Sequence, residues 1–273
     1  FFVYNIDTGM FSHYFGNFDN LLTHSQKGHY MLLKDYPVVL PDYILTLEEL
    51  SPENCLFFDI ETTGLSWKTS HLYLLGAVFY ENEIWIHRQW FCQKPGEEKE
   101  VLLAFSELLS TKKLLFHYNG TTFDVPYLMH KYTFYQLPAP WEGTRQLDLY
   151  QLFFPLKKIL HLEHMRQKDL EYAIGLFRED LYSGGELIEV YKKYLLSGDE
   201  NLLEILRLHN KEDVEGMLKL LPLFSIRALW TGNCQDFITC THTPEENLLT
   251  FLCSLNIHFL SVLKRNFPTL CFA

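Results

Sequence analysis

The chain has 273 residues, 48% of them hydrophobic and 16% aromatic, enough to bury a sizeable core in one or two domains. No stretch approaches the ~20 consecutive apolar residues that a bilayer span needs, so a membrane protein is not expected. A net charge of −11 weighs weakly against a nucleic-acid partner, although carboxylates that hold a divalent cation count as negative and yet present a positive site once loaded.

The opening "FFVYNIDTGMFSHYF" lacks an initiator methionine, a basic segment and a small-residue cleavage site, and reads as a clipped N-terminus rather than a secretory leader. Residues 1–53 are expected to form an irregular extension, its prolines in "YPVVLPDYILTLEELSPENC" marking loop or edge structure. The pattern then sharpens. "CLFFDIE" (55–61) is an apolar run of strand length, followed by "HLYLLGAVFY" (71–80) and "EIWIHRQWF" (83–91), and the three read as an antiparallel meander. "KPGEEKEVLLAFSELLS" (94–110) spaces its apolar residues for a helix with acids in the first turn. "KKLLFHYNG" (112–120) predicts a short buried strand, "TTFDVPYLMHKY" (121–132) a second helix and "QLDLY" (146–150) a last strand. Helices are predicted over 151–157, 167–176, 186–197 and 201–224. The expected fold is therefore α/β, a mixed central sheet whose first three strands are antiparallel, flanked by helices, in a domain spanning 54–224. In the tail, 225–273, "NLLTFLCSLNIHFLSVLKRNF" fits two strands or one helix. Six scattered cysteines without a C-x-x-C pair are expected to be the reduced thiols of a cytoplasmic protein, with neither a disulfide framework nor a zinc site.

Three clusters carry chemistry. Asp59 and Glu61 stand at i and i+2 of a strand, on one face, where they repel unless a cation sits between them. Hard divalent cations prefer such oxygen ligands. Gly64 would let the chain turn tightly after Thr62 and allow a ligand near the backbone. Next, "HYNGTTFDVPYL" sets Asn119 and Gly120 at a strand end and Asp124 in the first turn of a helix, where a carboxylate is favoured. Finally His209 and Asp213 lie four apart on one helix face, beside an apolar stripe. Singly, each has a plainer reading: a solvated strand end, a helix cap, a surface ion pair. Their joint order is far more specific.

That order resembles the DEDD, or DnaQ-like, exonucleases of the ribonuclease H-like superfamily, and most closely the YprB-type family, over roughly residues 54–224. "YLLGAVFY", "QWF", "FRED…GGELIEVYKKYLLSGD" and "HNKEDV" add to the resemblance. It implies a ribonuclease H-like, five-stranded mixed sheet flanked by helices. It also implies two divalent cations, Mg²⁺ or Mn²⁺, held by Asp59, Glu61, Asp124 and Asp213. The implied activity is 3′-to-5′ hydrolysis of single-stranded DNA or RNA. Members carry a His five residues before the last Asp or a Tyr four before it, and here His209, the expected general base, holds the tyrosine spacing. Thr62, Gly64, Leu65, Asn119, Phe123 and Asn210 are the candidate substrate contacts; Phe123 and Tyr127 suit either base stacking or core packing, and Asp148 is read as structural or as a support behind the metal ligands. Rival readings are a nucleic-acid-binding module of the same fold without turnover, a hydrolase of small nucleotides, and the proofreading domain of a family-B-like polymerase. The last ranks lowest, on the expectation that no polymerase domains fit after Phe224.

Overall fold

The computed structural model describes residues 2–4, 11–13, 31–38, 51–94, 96–221, 223–224 and 227. A short ladder pairs β1 (Phe2–Tyr4) with β2 (Phe11–His13). The main sheet is formed by β3 (Met31–Val38), β4 (Cys55–Thr62), β5 (Leu72–Glu81), β6 (Ile84–Cys92), β7 (Leu114–His117) and β8 (Arg145–Asp148), in the spatial order β3-β6-β5-β4-β7-β8. The pairs from β3 through β4 are antiparallel, and β7 and β8 add in parallel on the far side of β4. Asn82 and Glu83 turn β5 into β6 with φ of 51° and 65°, the geometry of a two-residue primed turn that matches strand twist.

The mixed α/β architecture is the expected one, with six strands rather than five. The added strand, β3, comes from the extension read as irregular. Pro37 masked it: it faces Ile86 of β6 on the outer strand of the described sheet, the kind of position where a strand tolerates proline. Leu149 and Tyr150, read as strand, instead open a helix, because the Asp148 carboxylate accepts the Tyr150 N–H and caps it. All of the tail except Arg227 lies outside the described residues. No helix among the described residues is long and apolar enough to cross a membrane.

Two helices, α1 (Glu98–Leu109) and α2 (Asp124–Phe134), cover one face of the sheet. Under them the even-numbered side chains of β4, Leu56, Phe58 and Ile60, pack with Phe105, Leu128 and Tyr132. The other face carries α3 (Leu149–Phe153), α4 (Gln167–Ala173), α5 (Gly184–Ser197) and the long α6 (Glu200–Leu220). A Ser183–Glu186 pair caps the start of α5, and Gly198, at φ 66°, ends it.

On this face the odd positions of β4 meet α6 in two registers. Cys55 and Phe57 share a core cluster with Val214, Met217 and Leu218, while Asp59 and Glu61 face the polar stretch at His209, Asn210 and Asp213. The approach is close because β5 supplies Gly76 opposite Asp59. A Cβ at Gly76 would lie 2.0 Å from Asn210 Oδ1. We therefore expect Gly76→Ala to lower the unfolding free energy by about 1–3 kcal/mol, the usual cost of overpacking. Urea denaturation measures this, and a change within about 0.5 kcal/mol, the range of neutral surface substitutions, would contradict it.

Candidate metal-binding active site

The site forms where three elements end or cross. Asp59 and Glu61 leave β4 on the α6 side, Asp59 partly and Glu61 largely buried. Asp124 reaches them through the turn between β7 and α2. Asn119 holds φ 59° there, a left-handed conformation that asparagine tolerates better than most residues. Gly120 is needed because a Cβ would sit 2.8 Å from the His117 ring. Asp148, at the end of β8, fastens the turn by accepting the N–H groups of Asn119 at 2.8 Å and Thr121 at 3.3 Å, so its role is structural. The Asp124 carboxylate then accepts the N–H of Ile60, on β4 between the other two acids.

From α6, His209 Nε2 lies 3.1 Å from Asp213 Oδ2 and 3.6 Å from Glu61 Oε1. Glu61, His209 and Asp213 can each offer a ligand atom, all within 4.8 Å of one another. Asn210 is fully buried: its amide donates to Asp59 Oδ2 at 3.2 Å, and its oxygen accepts from Gln89 at 3.0 Å. It therefore holds Asp59 from behind and does not reach a substrate.

The other expected contacts separate. The Thr62 hydroxyl donates to the Gly64 carbonyl at 2.9 Å, closing the turn after β4. Gly64 itself is outside the left-handed region, and a Cβ there would meet only Ser70 at an ordinary 3.5 Å, so the turn does not require glycine. Leu65 projects into solvent, 86% exposed. Phe123 leans on Tyr127, ring centroids 5.5 Å apart, at the margin of the α1/α2 core, which favours packing over stacking.

Sequence reasoning missed the loop between α4 and α5. Arg178 donates to Asp213 Oδ1 at 2.6 Å and to Glu171 Oε1 at 2.8 Å, leaving Asp213 Oδ2 facing His209. Asp180 Oδ2 lies 2.6 Å from His209 Nδ1. Glu212 of α6 accepts the N–H groups of Glu179 and Asp180, each at 2.9 Å. The available signal was the charged run in "FRED", which has no helical or strand period and so looks like a solvated loop.

A family model described as the RNase H superfamily matches residues 56–224, well over half of the chain. The chain belongs to the RNase H superfamily. Among curated proteins none matches the sequence. A family B DNA polymerase from the hyperthermophilic archaeon Pyrobaculum calidifontis is similar in structure at a TM-score of 0.50 and 18% identity, over 64% of this chain and 25% of that one. Product-bound exonuclease I aligns at a TM-score of 0.38 and 16% identity, over 57% of this chain and 46% of the other. The zinc-bound E. coli exonuclease I complex with single-stranded DNA aligns at 0.39 and 15%, over 57% and 43%. This chain thus spans a quarter of the polymerase chain and less than half of these exonuclease I chains. At such identities the polymerase likeness speaks for the fold alone.

In this RNase H-like site Asp59, Glu61 and Asp124 hold their protons unusually well. Burial, then the charges of Asp213, Asp124 and Glu61, push Asp59 well above the ordinary carboxylate range, against the Asn210 hydrogen bond. Burial carries Glu61 to about 8 even though His209 pulls it down. Burial also carries Asp124 to about 7, against hydrogen bonds from its own N–H and that of Ile60. Burial would lower His209, but Glu61, Asp213 and Asp180 outweigh it and raise the imidazole. Buried, oxygen-rich and deprived of protons at alkaline pH, this donor set fits a hard divalent cation.

Unfolded carboxylic acids titrate near 4. A folded-state value raised to about 8 at Glu61 means stability is present at acid pH and lost as pH climbs toward and through 8. In chelator we expect the melting temperature to fall by at least ~4 °C between pH 5.5 and 8.5, what about 1–2 kcal/mol amounts to in a domain of this size. Glu61→Gln should flatten that fall, and added Mg²⁺ should reverse it. A wild-type profile no steeper than that of Glu61→Gln would contradict the assignment.

Proposed function

We propose that this chain is a metal-dependent DEDD exonuclease of the YprB type, hydrolysing phosphodiester bonds of single-stranded DNA or RNA from the 3′ end. The observation that carries the proposal is the meeting of Glu61, His209 and Asp213 within 4.8 Å, beside Asp59 and Asp124, whose charges act on one another. RNase H-like nucleases use divalent cations. Asp59, Glu61, Asp124 and Asp213 would hold two of them here, Mg²⁺ or Mn²⁺ by the hardness of the donors. Once bound, such ions activate water and stabilise charge on the departing 3′ oxygen.

The chain's own residues do the rest. His209 turns Nε2 toward Glu61 and Asp213, so it can take the proton of an attacking water beside them. A reach of 3.1 Å to Asp213 supports that role despite the tyrosine spacing. Asn210 keeps Asp59 in one rotamer through a bond that Gln89 completes. Exposed Leu65, just past β4, is free to supply an apolar contact for a terminal base. Cations held by Asp59, Glu61, Asp124 and Asp213 would offset the charge of these acids and so favour the approach of a phosphate.

With Mg²⁺ or Mn²⁺, 5′-labelled single-stranded DNA or RNA should shorten into a ladder from the 3′ end. Asp59→Ala and Asp213→Ala should reduce this below detection, and Asn210→Ala should lower it roughly 10–100-fold, as expected when a partner orienting a metal ligand is lost. Intact oligonucleotides under both metals, with wild-type protein shown to be folded, would overturn the proposal.

A further inference from the structure

A neutral imidazole can accept a proton only at the nitrogen that carries no hydrogen, so a histidine base must be held in the right tautomer. The site itself selects the wrong one. Glu61 and Asp213 both face Nε2, and two carboxylates there favour an Nε2–H that donates to them. Asp180 opposes this from the other side of the ring, 2.6 Å from Nδ1. A carboxylate only accepts, and at this shorter distance Asp180 draws the hydrogen to Nδ1, so that in the neutral ring Nε2 is the nitrogen that keeps the lone pair.

Asp180 is built to stay there. Its side chain is 5% exposed. Its N–H is fixed by Glu212, three residues after His209 on α6, and its other oxygen, Oδ1, accepts the Tyr182 N–H at 3.0 Å. Two residues earlier, Arg178 ties the same loop to Asp213 and Glu171. Both oxygens are therefore assigned, Oδ1 to the backbone and Oδ2 to the imidazole.

We propose that Asp180 is a positioning residue that locks His209 as the Nδ1–H tautomer and presents Nε2 toward Glu61 and Asp213. The chemical consequence rests on the exonuclease reading; the tautomer does not. The division of the two oxygens also makes an isosteric substitution diagnostic. In Asp180→Asn the carbonyl oxygen stays with the Tyr182 N–H, so the amide NH₂ faces Nδ1 and forces Nε2–H, with little change in packing.

Two measurements on the full chain decide the matter. The first is two-bond ¹H–¹⁵N NMR of the histidine rings in Mg²⁺-loaded protein at alkaline pH, with His209→Gln giving the assignment. The wild type is expected to show Nδ1–H and Asp180→Asn to show Nε2–H; Nε2–H in the wild type would overturn the proposal whether or not the protein degrades nucleic acid. The second is kinetic. Asp180→Asn should lower kcat roughly 10²–10⁴-fold, the usual contribution of a positioned general base. KM and Mg²⁺ affinity should stay within about twofold, and Asp180→Glu, which can still accept from Nδ1, should recover part of the loss. A merely structural Asp180 would instead tolerate the isosteric Asn, or lose Mg²⁺ binding and thermal stability together with activity. Either result would sink the proposal. Should the wild type show Nδ1–H and yet lack all nuclease activity, the tautomer lock stands and the exonuclease reading fails.

Discussion

Mutual repulsion among Asp59, Glu61, Asp124 and Asp213 is the constraint on which this structure turns. Burial strengthens it, since the low-dielectric interior screens charge poorly. The surrounding architecture supplies a specific counterpart for each acid. Asn210 donates to Asp59, the Ile60 N–H to Asp124, Arg178 to one oxygen of Asp213, and His209 stands between Glu61 and the other. These contacts hold the carboxylates in place without neutralising them all. What remains is a cluster of oxygen donors that keep their protons until a cation displaces them.

The fold exists in a form that lets one helix do two jobs. Along α6, Val214, Met217 and Leu218 seal the apolar half of β4, and one to two turns earlier His209, Asn210 and Asp213 meet its acidic half. That register requires helix and sheet to approach closely, which Gly76 permits on the sheet side. Gly216 does the same between α6 and α4, where a Cβ would lie 2.0 Å from Glu171 Oε1. Glu171 in turn anchors Arg178. The packing of the helix layer and the geometry of the site are thus one problem, solved by small residues at two contacts.

Much of this was legible in the sequence because the decisive signals are local. The apolar run along 55–61 with Asp59 and Glu61 at i and i+2, and the i, i+4 spacing of His209 and Asp213, survive any tertiary context. The strands and most helices followed from the same periodicities. β3 was not legible, since its pairing with β6 depends on an edge position that hides the defect at Pro37. Nor was the role of Asn210, which looks polar and surface-seeking until Gln89 and Asp59 close around it. The loop holding Arg178 and Asp180 was the hardest case, because irregular backbone carries no period and its partners lie 35 and 29 residues away. Among the described residues Cys55 and Cys92 are free and buried.

If these carboxylates are kept together for a divalent cation, direct binding is the sharpest test. Calorimetric titration of Mn²⁺ into chelator-treated protein at pH 8, repeated in buffers of different ionisation enthalpy, reads both stoichiometry and proton release. The account predicts saturable uptake of about two ions per chain, protons released on binding, and loss of the tight phase in Asp59→Asn. Uptake that is weak, non-saturable or indifferent to Asp59→Asn would contradict it.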